Sequence, residues 1–287
     1  MQTEFALFPG CVLQQAASEA RTALDAIATK LGLTLRELPG WSCCGASHVQ
    51  DADPTAALVA NARNLALAEG MGLPLLTVCS TCLLMLRQAK RTLDANERGA
   101  RERIGKALAA GGMRYQGTSP VTSLLWVLAE RLDSLREAVC IPLSHMKVAG
   151  FYGCHSLRPE RDLGFESSVA PHSLEDIVRA LGAEPVPLGQ RLACCGFHAI
   201  YPAREAATRL TDAVIAGAAE AGATCIVTPC PLCQMQLDMH QGTTGIKAAT
   251  ALPVLHLQQL VGLALGLTPD ALGLGHNIVP AGRLRLV

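Results

Sequence analysis

The hydrophobic positions of the chain fall into two kinds of segment, short continuous runs and longer stretches with helical spacing. Short apolar runs, each bounded by glycine or proline and followed by a cysteine, lie at residues 5–8, 73–78, 148–152 and 225–228. Runs of this kind are typical of strands buried in a parallel sheet. Apolar residues recur at helical spacing in residues 12–31, 55–69, 173–181 and 204–221. This order of strands and helices predicts an α/β fold.

The cysteines reveal an internal repeat, because ten of the twelve fall into one frame that occurs twice. The first copy consists of Cys11, Cys43, Cys44, Cys79 and Cys82, and the second of Cys154, Cys194, Cys195, Cys230 and Cys233. In both copies 34 residues separate the adjacent pair from the CxxC pair, and only the first gap differs, 31 residues against 39. This agreement indicates that one structural unit has been duplicated.

The repeat predicts two domains related by a pseudo-twofold axis, each a small parallel sheet flanked by helices. A length of 287 residues fits two domains of about 150 residues. We place the boundary near residues 139–146, which gives domains 1–142 and 143–287. The carboxyl ends of parallel strands open onto ligand sites, so the cysteines that follow the strands are expected to cluster there. Helix N-termini at these positions are expected to lower the pKa values of the thiols.

The remaining segments carry three further predictions. Residues 87–106 contain seven basic and three acidic side chains without a broad apolar face, which predicts a solvated helix. Ser119 and Pro120 are typical of a helix start, with serine as the cap and proline at the first helical position. Cys140 and Cys225 lie outside the repeated frame, and we interpret both as buried core residues.

Composition and charge exclude several classes of function. The chain has 24 basic and 24 acidic side chains, so it has no net charge that would attract a nucleic acid. Mean hydropathy is +0.28, but no run approaches the roughly 18 apolar residues of a transmembrane helix. The first residues lack the basic region of a secretory signal, and we expect a soluble, cytoplasmic protein. In that compartment thiols stay reduced, so twelve cysteines indicate metal or redox chemistry.

The spacing of the cysteines leaves three kinds of chemistry open. Thiolate-rich sites select zinc, copper(I) or iron–sulfur clusters. A structural zinc site needs four ligands, whereas each copy offers five cysteines, two of which are adjacent. Five sulfur ligands also exceed the four of an ordinary cubane cluster, and this favours a larger or irregular iron–sulfur assembly. Zinc binding and thiol–disulfide exchange at the CxxC pairs remain the alternatives.

The two cysteine motifs resemble those of the cysteine-rich domain found in the B subunit of heterodisulfide reductase and its relatives. The resemblance covers nearly the whole chain, and it implies that each motif holds one non-cubane [4Fe-4S] cluster through its five cysteines. The first cluster would then be bound by Cys11, Cys43, Cys44, Cys79 and Cys82. The second would be bound by Cys154, Cys194, Cys195, Cys230 and Cys233.

The same resemblance implies a function and a set of partners. The two clusters would face each other across a small disulfide or persulfide substrate and cleave or form its sulfur–sulfur bond. The chain has no ferredoxin-type cubane motif and no dinucleotide fingerprint, so an iron–sulfur subunit and a flavin-containing subunit would exchange its electrons. With five lysines among its 24 basic residues, the composition suits a bacterium. It favours the equivalent subunit of a bacterial sulfur-oxidising, heterodisulfide-reductase-like complex with a lipoate-binding protein as a further partner.

Two alternatives to sulfur chemistry remain. The chain is also compatible with an electron-transfer subunit of a lactate- or glycolate-type organic-acid oxidase, or with a scaffold protein stapled by zinc. His48 and His198 follow the two adjacent cysteine pairs and are our candidates for proton transfer or hydrogen bonding at the clusters. His155 directly follows Cys154, and we interpret it as a solvent-facing loop residue.

Overall fold

The computed structural model describes residues 2–46, 48–241 and 251–284. Within these residues the chain forms two four-stranded sheets, all of whose strand pairs are parallel, flanked by helices. The predicted α/β class, with two equivalent halves and cysteines near the strand ends, is confirmed. The domain boundary at residue 142 stays a prediction.

The first half contains one sheet with the strand order β2-β1-β3-β4. Its strands are β1 (Glu4–Leu7), β2 (Thr34–Glu37), β3 (Leu75–Thr77) and β4 (Val121–Ser123). The helices of this part are α1 (Gly10–Gln14), α2 (Ser18–Lys30), α3 (His48–Ala52), α4 (Pro54–Met71), α5 (Ser80–Asp94), α6 (Ala100–Ala110), α7 (Leu124–Ala129) and α8 (Leu132–Ala138). A 3-10 turn at Glu97–Gly99 lies between α5 and α6.

The second half repeats this arrangement with the order β6-β5-β7-β8. Its strands are β5 (Lys147–Gly150), β6 (Glu184–Val186), β7 (Cys225–Thr228) and β8 (Val254–His256). Its helices are α9 (Glu160–Leu163), α10 (Ser173–Ala180), α11 (Arg204–Glu220), α12 (Pro231–Met239) and α13 (Leu257–Ala264). Single 3-10 turns are formed by Phe197–Ala199, Leu274–His276 and Ala281–Leu284.

The two halves pack against each other through helices. The buried His256 at the start of α13 shares a 3.0 Å hydrogen bond with Glu19 of α2, and Gln258 donates to the Ala20 carbonyl at 3.1 Å. Burial is the largest single influence and would raise the pKa of Glu19, but the hydrogen bond and electrostatic attraction to His256, with smaller contributions from the Glu19 backbone and His276, together lower it. The carboxylate therefore stays ionised and holds α2 against α13 at neutral pH.

The charged segment at residues 87–106 differs from its prediction as a solvated helix. It is divided by the 3-10 turn into parts of α5 and α6, and Leu93 and Ile104 are buried. Arg87 donates to the Asp162 carbonyl at 2.6 Å, and Arg91 pairs with the buried Asp162 carboxylate. The arginines of α5 were predicted to face solvent, because the many charged residues obscure the few apolar positions between them. In the structure these arginines instead bind Asp162 of the second half.

Two further predictions on this part of the chain were wrong. No helix starts at Ser119 and Pro120; they precede strand β4, and α7 begins later, with Ser123 as its cap accepting a hydrogen bond from the Trp126 amide. Cys140 is exposed rather than buried. Its backbone amide donates to the Ala264 carbonyl at the end of α13, which turns the side chain outward. The other cysteine outside the frame, on β7, is buried as expected.

Candidate metal centre

The five cysteines of the first half come from three loops at the carboxyl ends of adjacent strands. Cys11 follows β1, the pair Cys43 and Cys44 follows β2, and Cys79 caps α5 directly after β3. One helical turn later, Cys82 points back to the same place: its Sγ lies 3.5 Å from that of Cys44. The Sγ atoms of Cys11 and Cys43 are 3.7 Å apart. Parallel pairing of the strands therefore gathers residues that are distant in sequence. We call this group the first quintet.

The second quintet has the same construction. Its members are Cys154, Cys194, Cys195, Cys230 and Cys233. Cys154 shares a hydrogen bond with Cys194, and Cys195 shares one with Cys233. In each half the amide of the glycine after the adjacent pair donates to a cysteine sulfur, at 3.5 Å in the first half and 3.3 Å in the second.

The two quintets meet at the centre of the molecule. Cys79 and Cys230, each at the helix-cap position of its own CxxC motif, lie close enough across the interface to shift each other's pKa values, that of Cys79 upward and that of Cys230 downward. The Ser80 amide of the first half also helps to lower the pKa of Cys230 in the second. Next to them, the hydroxyls of Ser80 and Ser156 lie 2.7 Å apart. Groups bound at the two quintets would therefore be direct neighbours.

A glycine in each half leaves space for sulfur. Gly10 and Gly153 precede the first cysteine of their frames and have the same φ of +71°, in the left-handed region that favours glycine. A Cβ atom on Gly10 would lie 3.1 Å from the Cys82 sulfur, and one on Gly153 would lie 2.9 Å from the Cys233 sulfur. The glycines thus allow the backbone to approach the last cysteine of each quintet closely.

Crowding of the thiols determines their pKa values. Hydrogen bonds shared with Cys11 and Cys154 lower the pKa values of Cys43 and Cys194, respectively. The pKa of Cys230 is also lowered, first by its hydrogen bond with Cys233. The other seven cysteines of the frames have raised pKa values, because thiols that share hydrogen bonds cannot all ionise and because several are buried. These are Cys11, Cys44, Cys79, Cys82, Cys154, Cys195 and Cys233. The expectation of lowered pKa values throughout was wrong.

The donor set fits a polynuclear cationic cluster. Five crowded sulfur atoms become thiolates together only if positive charge offsets their repulsion, and iron in a cluster supplies it. Soft sulfur donors, backbone amides directed at sulfur and the two glycine clearances all suit a sulfur-rich group. In the part of the chain that the structure describes, no three or more His, Cys, Asp or Glu side chains are arranged around a position for a single metal ion.

A cavity of about 250 Å³ opens over the first quintet. All five of its cysteines line this cavity, and so does His48. The opposite wall comes from the second half and includes Phe197, His198 and Tyr201. The structure therefore brings both candidate histidines, which are 150 positions apart in the chain, to one opening beside a cysteine quintet.

His155 was misassigned to solvent. It is largely buried, its Nδ1 lies 3.0 Å from the Thr81 hydroxyl of the first half, and its ring centroid is 5.6 Å from that of His198. Burial lowers the pKa of His155. Its position directly after Cys154 was the available signal, since any side chain there lies near the second quintet. The partner Thr81 lies inside the other CxxC motif and could be recognised only from the tertiary contact.

Comparison with known proteins agrees with this construction. The cysteine-rich (CCG) domain family matches residues 5–87 and 148–238, more than half of the chain. A protein of Wolinella succinogenes named 8-methylmenaquinol:fumarate reductase membrane anchor subunit is 61% identical over 99% of this chain and all of its own length. The B subunit of the ferredoxin/F420H2-dependent CoB-CoM heterodisulfide reductase of Methanosarcina acetivorans is 34% identical over 96% of this chain and 94% of its own.

A solved structure shows the same fold. A hypothetical protein from Helicobacter pylori superposes with a TM-score of 0.79 over 98% of this chain at 16% identity, and this chain spans 53% of its length. Among the described residues, no helix is both long and apolar enough to cross a membrane. With its twin cysteine-rich domains and full-length relatives, the chain belongs to the family of iron–sulfur oxidoreductase subunits typified by the B subunit of heterodisulfide reductase.

Proposed function

We propose that this chain is the iron–sulfur subunit through which a menaquinol-linked fumarate reductase takes electrons from quinol. The observation that carries the proposal is the 61% identity, over the whole length of both chains, to a subunit of 8-methylmenaquinol:fumarate reductase. It differs from the sequence-based alternative of an electron-transfer subunit of a lactate- or glycolate-type oxidase, because here the organic acid is reduced and this chain itself would contact the quinol. Bacterial sulfur oxidation and a lipoate-binding partner stay predictions, since the Wolinella and Methanosarcina relatives are named for other reactions.

The cofactors in this proposal are two non-cubane [4Fe-4S] clusters, one held by each cysteine quintet. The equivalent arrangement of the two quintets supports equal occupancy, and the contact between Cys79 and Cys230 supports their acting together. Such clusters, when bound, supply one-electron transfer between a two-electron donor and a partner subunit. Flavin-containing and iron–sulfur subunits, expected from the sequence, are the proposed partners that carry electrons to fumarate. The relatives are reductase subunits, which favours iron–sulfur clusters over a zinc scaffold.

The chain's own side chains have two tasks at the cavity. Oxidation of a quinol to a quinone releases two electrons and two protons, and each proton needs an acceptor. His48 and His198 line the cavity and are the proposed acceptors, because a neutral imidazole nitrogen can take up a proton. Phe197 and Tyr201 form an aromatic wall that can lie against a flat ring.

The proposal is tested on the intact complex, purified without oxygen. We expect it to oxidise a methylated menaquinol with fumarate as the acceptor, giving the quinone and succinate in equal amounts, and to leave the CoB–CoM disulfide unreduced. A complex lacking this subunit should still reduce fumarate with a viologen donor but not with quinol. Reduction of the disulfide without oxidation of quinol would show that the sulfur reaction is the correct one.

The histidines are tested by His48→Gln and His198→Gln. Loss of a proton acceptor is expected to lower the kcat for quinol oxidation by at least about tenfold. Iron content and viologen-dependent fumarate reduction should not change, because neither residue belongs to a quintet. His172→Gln, at an exposed histidine paired with Asp176, is the matched control and should behave as wild type. An unchanged kcat over the whole pH range in both variants would remove the two histidines from the mechanism.

A further inference from the structure

An apolar groove leads away from the cavity over the first quintet. It has a volume of about 400 Å³ and lies between the 3-10 turn Phe197–Ala199, the start of α11 and helix α12. Five of its eight lining residues are apolar or aromatic, namely Phe197, Ile200, Tyr201, Met235 and Met239, and Arg204, Gln236 and His240 complete the lining. We call this feature the tail groove.

The tail groove adjoins the cavity over the first quintet. Phe197 and Tyr201 line both of them, so one face of each side chain borders the quintet and another borders the groove. The outer end of the groove is open to solvent: Tyr201 is 85% exposed and Met239 is 50% exposed. Large apolar side chains exposed next to an opening are typical of a binding surface rather than of ordinary surface.

The groove belongs to one half of the repeat only. Transferring the cysteine frame to the first half places Ala46 at the position of Phe197 and Gln50 at that of Tyr201. The two methionines of α12 correspond to Leu84, which is buried, and to Gln88. Ile200 corresponds to Val49, so the first half keeps some apolar positions but lacks the two aromatic residues and the outer methionine. The fold of the unit and the binding of its cluster therefore do not account for these three residues. A ligand that approaches the first quintet from this side accounts for them.

We propose that the tail groove binds the prenyl chain of the quinol while the quinol ring occupies the cavity. This inference rests on the proposed function. A prenylated quinol has a flat ring with two hydroxyls at one end and a flexible apolar chain at the other. The space has the same polarity, with two histidines beside the quintet and aromatic and thioether side chains farther out. Methionine side chains adapt to an irregular, flexible chain.

The test compares two quinols with the same ring, one with a prenyl chain and one without. For Met239→Glu in the intact complex, we expect the KM for the prenylated quinol to rise about tenfold and the KM for the tail-less quinol to stay within twofold of wild type. Direct binding of the two oxidised quinones, measured by equilibrium dialysis, should show the same selective loss. Met239 is exposed and lies outside the cavity that would hold the ring, so Met239→Lys provides a second variant whose folding is not at risk.

Val169→Glu is the matched control, because Val169 is 78% exposed and does not line the groove. This variant should change neither the KM for the prenylated quinol nor the KM for the tail-less quinol. If the complex oxidises both quinols, and Met239→Glu and Met239→Lys change the KM values for the two quinols equally or not at all, the groove assignment is wrong and the proposed function stands. If the wild-type complex oxidises neither quinol, the proposed function fails. Binding would still test the groove in that case. The groove is supported if the wild-type complex binds the prenylated quinone more tightly than the tail-less quinone and both variants lose this difference. Equal binding of the two quinones by the wild-type complex would overturn it.

Discussion

Replacing Cys82 by serine is expected to halve the iron content of the protein, from about eight to about four atoms per chain. Cys82 is buried and contacts Cys44 at 3.5 Å, so it belongs to the interior of the first quintet. A serine oxygen is a harder and weaker ligand for iron than a thiolate. The second quintet keeps its five sulfur atoms in this variant and should keep its cluster. Cys233→Ser should have the converse effect, with the same loss of iron.

The measurement is anaerobic analysis of iron and acid-labile sulfide, with electron paramagnetic resonance to identify the remaining cluster. Cys140→Ser is the control, because Cys140 is exposed and outside the frame; this variant should retain all its iron. Wild-type protein that contains zinc instead of iron and sulfide would reject the cluster assignment. Full iron retention in Cys82→Ser would show that this cysteine is not a ligand.

Replacing Gly153 by alanine is expected to remove most of the second cluster while the first stays bound. The new Cβ would lie 2.9 Å from the Cys233 sulfur, and a sulfur held by iron cannot move aside. Gly10→Ala should have the same effect on the first cluster, but smaller, because its Cβ would lie 3.1 Å from the Cys82 sulfur. Iron content should therefore fall toward about half in Gly153→Ala and less in Gly10→Ala.

Two other glycines separate this contact from backbone strain. Gly222 has a φ of +73° and Gly32 a φ of +63°, and a Cβ at either position would meet no atom within 4 Å. Alanine at all four positions costs about 1–2 kcal/mol of stability for the left-handed backbone, measurable by urea unfolding. Only the glycines next to sulfur should also lose iron. Equal iron loss in Gly222→Ala and Gly153→Ala would mean that backbone strain, not contact with sulfur, is responsible.

The sequence located the four central strands and missed the four edge strands. Central strands such as β1 and β7 are buried on both faces, which leaves the continuous apolar runs that a reader of the sequence can find. Edge strands leave no such run: β2 is mostly exposed, and the three residues of β8 merge with the apolar helix that follows. The edge strands of a sheet thus leave little recognisable pattern in a single sequence.

The prediction of sulfur oxidation rested on the low ratio of lysine to arginine, which reflects the composition of the genome. That ratio has no physical connection with the group bound between two halves of a protein. The cysteine frame, by contrast, follows from chemistry, because a cluster needs its ligands at the ends of particular strands. The residues that we propose bind the electron donor, such as Phe197 and Met239, are ordinary apolar residues without a motif.

The sequence by itself determined the duplicated α/β architecture, the two sets of five cysteines and the family, since spacing along the chain is set by the strands and loops between ligands. Three contacts became visible only in the tertiary structure. Cys79 lies near Cys230, and His155 lies within hydrogen-bonding distance of the Thr81 hydroxyl. Phe197 of one half lines the cavity over the cysteines of the other. Each of these contacts joins residues from separate repeats. Their proximity depends on how two helix-covered sheets pack, and no local pattern of side chains encodes that packing.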